Sequence, residues 1–210
     1  MGRFGRIAVG VALALGLAAA AASAADPGPL GPRFAAPIDA ERFDARLFDE
    51  AVAAYANAAR KAHGRAPLKR DVRLLRAASG HAANMARLRT HSHRLPVAGE
   101  GRLVQRMDRN GVRYRTAAEN IAMEKVYRLL GRPIATRAEG CAFAYADDGA
   151  PVPVHSYASL AQSAVARWMA SPKHRESLLS PAFRRIGSGA AIDPAGPACG
   201  DVYLVQNFAD

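Results

Sequence analysis

Three residues of the sequence are candidates for chemistry, one glutamate and two histidines. Glu119 lies in the apolar run "TAAENIAM", where a buried carboxylate needs partners that offset its lost hydration. His93 in "THSHRLP" and His174 in "SPKHRESLL" each follow a predicted helix, at a point where the chain turns. Two imidazoles and a carboxylate can bind a divalent metal such as Zn²⁺, act as general acid and base, or form a buried polar network. The residue types leave all three alternatives open, because no short ligand motif such as H-E-x-x-H links them.

Other side chains give weaker indications of chemistry. His81 falls on the apolar stripe of a predicted helix, which favours a hydrogen-bonded core imidazole, and His91 is the alternative to His93 by register. Ser92 and Ser171 adjoin candidate histidines, but side chains that are neighbours in a chain usually point apart. The sequence has no nucleophile elbow, no Gly-rich phosphate loop and no Cys nucleophile beside a base, which argues against covalent catalysis.

The N-terminus predicts an export signal over residues 1–25. Arg3 and Arg6 form a basic segment, which is followed by an uncharged apolar run and by small residues suited to cleavage. A membrane anchor is the alternative, but the Ala-rich end of the run and the Pro and Gly residues after it favour cleavage. We therefore expect a secreted or periplasmic protein with no permanent membrane anchor after cleavage. Residues 26–40 predict a flexible Pro/Gly-rich leader ahead of one domain at 41–210.

The chain is basic, which bears on its partners. Its formal net charge is +11, or +9 without Arg3 and Arg6 (11 − 2). The excess is mostly Arg and is spread along the sequence, which fits a solvated surface with weak attraction to anionic envelope material. Because no nucleic-acid-binding motif is present and the chain is exported, we expect no nucleic-acid partner. We also expect a monomer.

The two cysteines, Cys141 and Cys199, predict one disulfide, because an exported chain folds in an oxidising compartment. Two free buried thiols are the alternative, and two lone cysteines make a poor metal site. The bond would close a long loop and would stabilise the fold by about 4 kcal/mol, through the entropy lost by the unfolded chain.

Hydrophobic periodicity predicts helices first and strands last. The predicted helices cover 41–63, 71–89, a short stretch before Gly111, and 159–170, and the strand-like runs cover 186–192 and 201–209. The last of these helices would bury Trp168. In the final strand, the even-numbered residues from Val202 to Phe208 share one face. This order predicts an α+β sandwich with a small antiparallel sheet rather than a parallel βαβ fold.

Several segments together resemble the CAP superfamily, which comprises the cysteine-rich secretory, antigen 5 and pathogenesis-related proteins and is named also for its SCP domain. The segments are "HAANMARLRTHSH", "ENIA", "ARWMASPKHRESLLSPAFRRIGSGAA" and "YLVQNFA". Their order is that of the bacterial secreted branch of the family, and the similarity extends over about residues 45–209. It implies an α-β-α sandwich with a cleft lined by a tetrad of His and Glu.

Residue by residue, the resemblance places His93, Glu119 and His174 in that cleft. His93 and His174 would be the metal ligands if a metal binds, and Glu119 would be the candidate catalytic group. Asn120 and Trp168 would be structural, with Asn120 bracing the local backbone. The fourth residue of the tetrad, a Glu shortly after the tryptophan, has no counterpart in this sequence.

The stretch at about 124–157 is longer than in the bacterial pattern and is interpreted as an insertion. It carries Cys141, so we expect a loop near the mouth of the cleft that is tied by a Cys141–Cys199 bond.

The resemblance implies a location and an architecture more directly than a reaction. We expect an exported, non-enzymatic CAP-domain protein that binds an envelope component or an apolar or lipid ligand in or near the cleft. One alternative is a hydrolase that uses His93, Glu119 and His174 with zinc or another divalent metal, which would be its cofactor. The other alternative is a structural polar network with no chemistry in the cleft.

Overall fold

The computed structural model describes residues 30–136 and 141–210, and the predicted export signal therefore lies outside the described residues. The helices are α1 (Ala45–Ala62), α2 (Val72–Leu88), α3 (Leu103–Arg109), α4 (Tyr157–Ala170) and α5 (Pro172–Leu179). The strands are β1 (Lys69–Arg70), β2 (Ala117–Lys125), β3 (Ile134–Thr136), β4 (Phe143–Tyr145), β5 (Arg185–Asp193) and β6 (Asp201–Ala209). Across the two described ranges, no helix combines the length and the apolar character needed to cross a membrane.

A four-stranded sheet in the order β1-β5-β6-β2 forms the middle layer. β6 pairs antiparallel with both β5 and β2, while the short β1 pairs parallel with β5. Every residue of β6 is buried, so this strand is covered on both faces. β2 lies at the edge of the sheet, with Glu119 opposite Asn207 of β6.

The two faces of β6 pack against different helices, because successive side chains of a strand point to opposite sides. Leu204 joins a core cluster that includes Phe48 of α1 and Trp168 of α4. Val205, the next residue, joins a separate cluster with Met85 of α2. Helices therefore cover both faces of the sheet, and the predicted α-β-α sandwich is confirmed.

α2 begins and ends where the sequence predicts. The carboxylate of Asp71 accepts a hydrogen bond from the backbone N–H of Arg73 at 2.8 Å, which satisfies one of the free donors at the helix N-terminus. Arg89 ends the helix in the left-handed region, with φ of 50°. The chain then turns and carries His93 toward β2.

The region after α4 differs from the prediction. The sequence indicates that "SPKH" ends a helix, and α4 does end at Ala170, but a second helix, α5, starts at Pro172. Proline suits the first turn of a helix, because its missing N–H would have no helical acceptor there. His174 therefore lies in the first turn of a helix and not in a loop.

α2 packs directly on β5 at two glycines. A β-carbon on Gly187 would lie 2.2 Å from the backbone nitrogen of Leu75, and one on Gly189 would lie 2.4 Å from that of Ser79. Both distances are far inside van der Waals contact, so any larger residue would push the helix away from the sheet. The "IGSG" segment thus sets how closely α2 approaches the strands.

The described part of the predicted leader is packed against the domain. Phe34 and Ile38 are buried in the main core, and the N–H of Ile38 donates to the carbonyl of His155 at 2.8 Å. Arg33 forms an ion pair with Glu50 of α1. The content of Pro and Gly predicts flexibility, but two apolar side chains anchor this segment to the domain.

The insertion has structure of its own. β3 and β4 form a two-stranded antiparallel sheet, and Phe143, Tyr145 and Val152 form a small apolar cluster beside it. The disulfide between Cys141 and Cys199 is present, as predicted, and ties this unit to the start of β6.

The insertion does not lie at Glu119. It follows Lys125, the residue of β2 that pairs with Asp201 at the start of β6. The strand from Glu119 to Lys125 spans about 20 Å. The expected loop at the mouth of the cleft is therefore displaced to the opposite end of β2.

The disulfide should contribute substantially to stability. It joins cysteines 58 residues apart, and for a loop of this length the chain-entropy model gives about 4 kcal/mol. We predict that Cys141→Ser/Cys199→Ser lowers the free energy of unfolding in urea by about this amount. Wild-type protein reduced with dithiothreitol is the control and should match the variant. A fall below about 1 kcal/mol would show that the bond constrains only the insertion.

Candidate functional site

The neighbouring polar residues of β2 point to opposite faces of the sheet, as strand alternation requires. Glu119 points to the face covered by α2, where it meets His81, His93 and Arg106. Asn120 points to the other face, toward α5. Because β2 is an edge strand, the two sets of contacts lie on either side of one sheet edge.

A buried ion pair holds Glu119. The Nη2 atom of Arg106 donates to both carboxylate oxygens, at 2.8 Å to Oε1 and 2.7 Å to Oε2. The side chains of Glu119 and Arg106 are only 3% and 1% exposed. Arg106 also donates to the carbonyl of Glu100 at 2.8 Å, which links α3 and the preceding loop to β2. Charge-assisted hydrogen bonds of this kind are among the stronger ones in proteins.

His93 is oriented by the same carboxylate. Its Nδ1 atom lies 2.9 Å from Oε1 of Glu119, and its side chain is 53% exposed. No described residue forms a hydrogen bond with Nε2, so this nitrogen remains available to a ligand. A carboxylate that fixes one ring nitrogen sets the orientation of the imidazole and selects its tautomer.

His81 and Asn207 enclose the carboxylate from behind. Nε2 of His81 lies 3.8 Å from Oε1 of Glu119, and burial lowers the pKa of this imidazole to about 4. With its amide nitrogen turned toward Glu119, Asn207 donates to Oε2 at 3.2 Å and accepts from the N–H of Ala78. Glu119 is thus surrounded by groups that stabilise its charged form.

The pKa of Glu119 lies below its ordinary value. Burial alone would raise it, but the hydrogen bond with His93 and the positive charge of Arg106 outweigh the loss of hydration. A carboxylate in this state is a weak proton acceptor. Its oxygens are also already occupied by protein donors.

The contacts of Asn120 are structural but reach farther than expected. Its Nδ2 atom donates to the backbone carbonyl of His174 at 3.0 Å and to Oε1 of Gln206 at 3.2 Å. It therefore clamps a helix 54 residues away instead of its own local backbone. Trp168 is fully buried in the core beside this helix.

His174 lies close enough to His93 for their charges to interact. Among the described residues, the side chain of His174 forms no hydrogen bond with Glu119. Burial lowers the pKa of His174, and the charge of His93 lowers it further. The pKa of His91 is lowered in the same way, by burial and by His93 and His174. Three imidazoles therefore lie within electrostatic reach of one another at the edge of β2.

The predicted metal site does not fit a catalytic zinc centre. A catalytic zinc normally has three protein ligands, so Glu119 would have to join His93 and His174. Both oxygens of Glu119 bind Arg106 instead. Among residues 30–136 and 141–210, no group of three or more His, Cys, Asp or Glu side chains is arranged to hold a metal ion.

A shallow cavity of about 330 Å³ opens beside His93 and Glu119. Its other lining residues are Arg94, Arg102, Leu103 and Val104. We call this cavity the His93 cleft. A second cavity, of about 560 Å³, lies between the insertion and α4 and does not include the candidate residues.

Arg106 and His81 are site residues that the sequence did not reveal. A buried carboxylate at Glu119 implies a cationic partner. However, Arg106 is one of many arginines, and its seven-residue helix is too short for a hydrophobic periodicity that would mark this residue as buried. His81 is predicted in the core, but only the 3.8 Å distance from its Nε2 atom to Oε1 of Glu119 shows that it lies behind that carboxylate.

Removing Arg106 alone should destabilise the fold more than removing both charges of the Arg106–Glu119 pair. We predict that Arg106→Met lowers the free energy of unfolding by about 3–5 kcal/mol, because it leaves a buried carboxylate without its cation. Arg106→Met/Glu119→Gln should recover much of this loss, since no buried charge remains. Arg109→Met is the matched control on the same helix, and it should cost less than about 1 kcal/mol because its ion pair is exposed. Equal losses in Arg106→Met and Arg109→Met would contradict the assignment.

Two buried imidazoles should make the fold sensitive to acid. Burial lowers the pKa of His81 and of His155 to about 4, below the ordinary value of 6.5. Below about pH 6.5 the unfolded chain binds protons that the folded chain does not, so stability is lost as the pH falls toward about 4. We expect each histidine to contribute on the order of 3 kcal/mol to this loss, measured by urea unfolding between these pH values.

The variant His155→Gln tests the source of this acid sensitivity. Its stability should fall less steeply with pH than that of the wild type, whereas His63→Gln, at the exposed end of α1, should follow the wild-type curve. Parallel curves for His155→Gln and the wild type would assign the loss to other groups.

Comparisons with known proteins agree with this architecture. The family model of the cysteine-rich secretory proteins, CAP, matches residues 53–208. An extracellular protein of Bacillus anthracis that contains an SCP domain has a similar structure, with a TM-score of 0.55 and 22% identity over 87% of this chain. This chain spans only 44% of that protein.

An outer surface protein of Borrelia burgdorferi has a TM-score of 0.53 and 17% identity, over 80% of this chain and 96% of that one. A comparison with curated proteins gives no match. At these identities the structural likenesses show the fold alone, while the family model covers most of the chain. The chain belongs to the CAP family of cysteine-rich secretory proteins.

Proposed function

We propose that this protein is an exported binding protein that holds a lipid of the cell envelope in the His93 cleft without changing it chemically. The observation that carries this proposal is the buried ion pair between Glu119 and Arg106. With both oxygens bound to Arg106, the carboxylate of Glu119 serves to orient His93.

The same pair argues against a hydrolase. A general base needs a pKa near the operating pH and access to the proton that it removes. Glu119 has a lowered pKa, is buried, and binds Arg106 through both oxygens. The fourth tetrad residue that could have replaced it has no counterpart, because Ala170 and Ser171 follow Trp168 at that place.

The shape of the cleft supports the binding of an amphiphile. Leu103 and Val104 form an apolar wall, and Val104 is 48% exposed. His93 lines the same cavity and contributes a polar ring nitrogen. A cavity of about 330 Å³ suits a headgroup and the adjoining part of a chain, with the remainder of the lipid left in its membrane.

Export is supported by two independent features. The first 25 residues have the pattern of a cleavable export signal. The structurally similar proteins of B. anthracis and B. burgdorferi are described as extracellular and as an outer surface protein. A lipid-binding protein without catalytic activity would then act at the surface of a membrane.

Flotation with vesicles tests the proposal. We expect the wild-type protein to float with vesicles of phosphatidylethanolamine and phosphatidylglycerol in about 0.3 M NaCl, where long-range attraction of the basic surface is largely screened. Val104→Asn should weaken this binding about fivefold, because it removes part of the apolar wall. Val72→Asn is the matched control, since Val72 is 51% exposed at the start of α2 and does not line the cleft.

Two results would contradict this function. One is an equal loss of vesicle binding in Val104→Asn and Val72→Asn, or no binding by the wild type. The other is steady turnover of p-nitrophenyl butyrate that His93→Gln abolishes, which would make the cleft catalytic.

A further inference from the structure

The carboxylates around the His93 cleft are neutralised by arginines of α3. Glu119 is paired with Arg106 at 2.7 Å. Glu100, in the loop before α3, has Oε1 at 3.3 Å from Nη1 of Arg109. These negative charges are therefore compensated within the protein and are not available to attract a cation from solution.

Two further arginines face the same cavity without a counterion. Arg94 follows His93, Arg102 directly precedes α3, and both line the cleft. In the described part of the chain, neither guanidinium forms an ion pair. Other exposed arginines such as Arg73 share this property, but Arg94 and Arg102 lie together in the lining of one cavity. The positive charge of Arg94 and Arg102 is thus left for a ligand.

The same charges disfavour a metal ion. A divalent cation beside His93 would be repelled by two guanidinium groups that have no counterion. The carboxylate of Glu119 could offset this repulsion only if its ion pair with Arg106 were broken. An oxyanion instead gains from both arginines, because the planar guanidinium matches two oxygens of a phosphate group. The imidazolium form of His93 adds an Nε2–H donor, while its Nδ1–H group donates to Glu119.

We propose that the His93 cleft is a phosphate site, in which Arg94, Arg102 and the Nε2–H group of protonated His93 bind the phosphate group of the ligand. This assignment rests on the proposed function and gives it a chemical specificity. Leu103 and Val104 then contact the apolar atoms next to the phosphate. Phosphate chemistry is shared by a lipid headgroup and by free phosphate, and the apolar wall favours the headgroup.

The test uses the full mature chain and a matched pair of double variants. Arg94→Gln/Arg102→Gln removes two charges from the cleft. Arg73→Gln/Arg76→Gln removes two charges from the exposed face of α2, outside the cleft. Inorganic phosphate binding is measured by calorimetry, and vesicle binding by flotation in about 0.3 M NaCl with a phosphate-free galactolipid alone or mixed with phosphatidylglycerol.

We expect the cleft variant to bind phosphate and phosphatidylglycerol vesicles at least about tenfold more weakly than the wild type, and the α2 variant to stay within about twofold. Binding of the vesicles but not of inorganic phosphate identifies the lipid headgroup as the source. Binding of inorganic phosphate with no preference for phosphatidylglycerol identifies free phosphate.

Equal losses in the two double variants would overturn the site, since they would show general attraction to a basic surface. Unchanged binding in the cleft variant would overturn it too. If vesicle binding then still depends on Val104, the proposed function stands and only the phosphate assignment fails. Circular dichroism of both variants verifies that they are folded.

Discussion

The buried ion pair between Glu119 and Arg106 is the constraint on which the cleft depends. Burying a carboxylate at the edge of the sheet would be strongly unfavourable without a cation at hydrogen-bonding distance. Arg106 supplies that cation from α3, and His93, His81 and Asn207 complete the shell. One side chain of β2 thereby positions a short helix, a loop and an imidazole.

The edge position of β2 explains how distant residues come together. Glu119 and Asn120 point to opposite faces, so one strand contacts the layers on both sides of the sheet. Asn120 holds the backbone of His174 on one side, while Glu119 holds the ring of His93 on the other. The histidines therefore approach each other around the edge of the strand, and each is fixed through a different neighbour in the sequence.

The sequence predicted the layers better than it predicted the partners within the site. Local patterns predict an α+β sandwich and the N-terminal cap of α2, while the α-β-α order is implied by the family resemblance. The Cys141–Cys199 bond follows from the expected oxidising compartment. Resemblance to a family implies that His93, Glu119 and His174 lie in one cleft. Arg106 could not be foreseen, because which arginine reaches a buried carboxylate depends on the path of the whole loop before α3. The packing of Phe34 and Ile38 could not be predicted from composition, because a high content of Pro and Gly indicates flexibility even where two apolar side chains reach the core.

The close approach of α2 to β5 makes the support of the His93 turn rigid. Gly187 and Gly189 let the backbone of the helix rest on the strand, and any retreat would open a void between them. α2 ends just before the turn that carries His93, so the position of that turn is fixed as well. α3 is a single short helix that is held to β2 through Arg106 and to α2 through the buried side chain of Met107. A ligand too large for the cleft must therefore be admitted by displacement of α3, and the free energy of that opening combines the loss of the ion pair with the exposure of Met107.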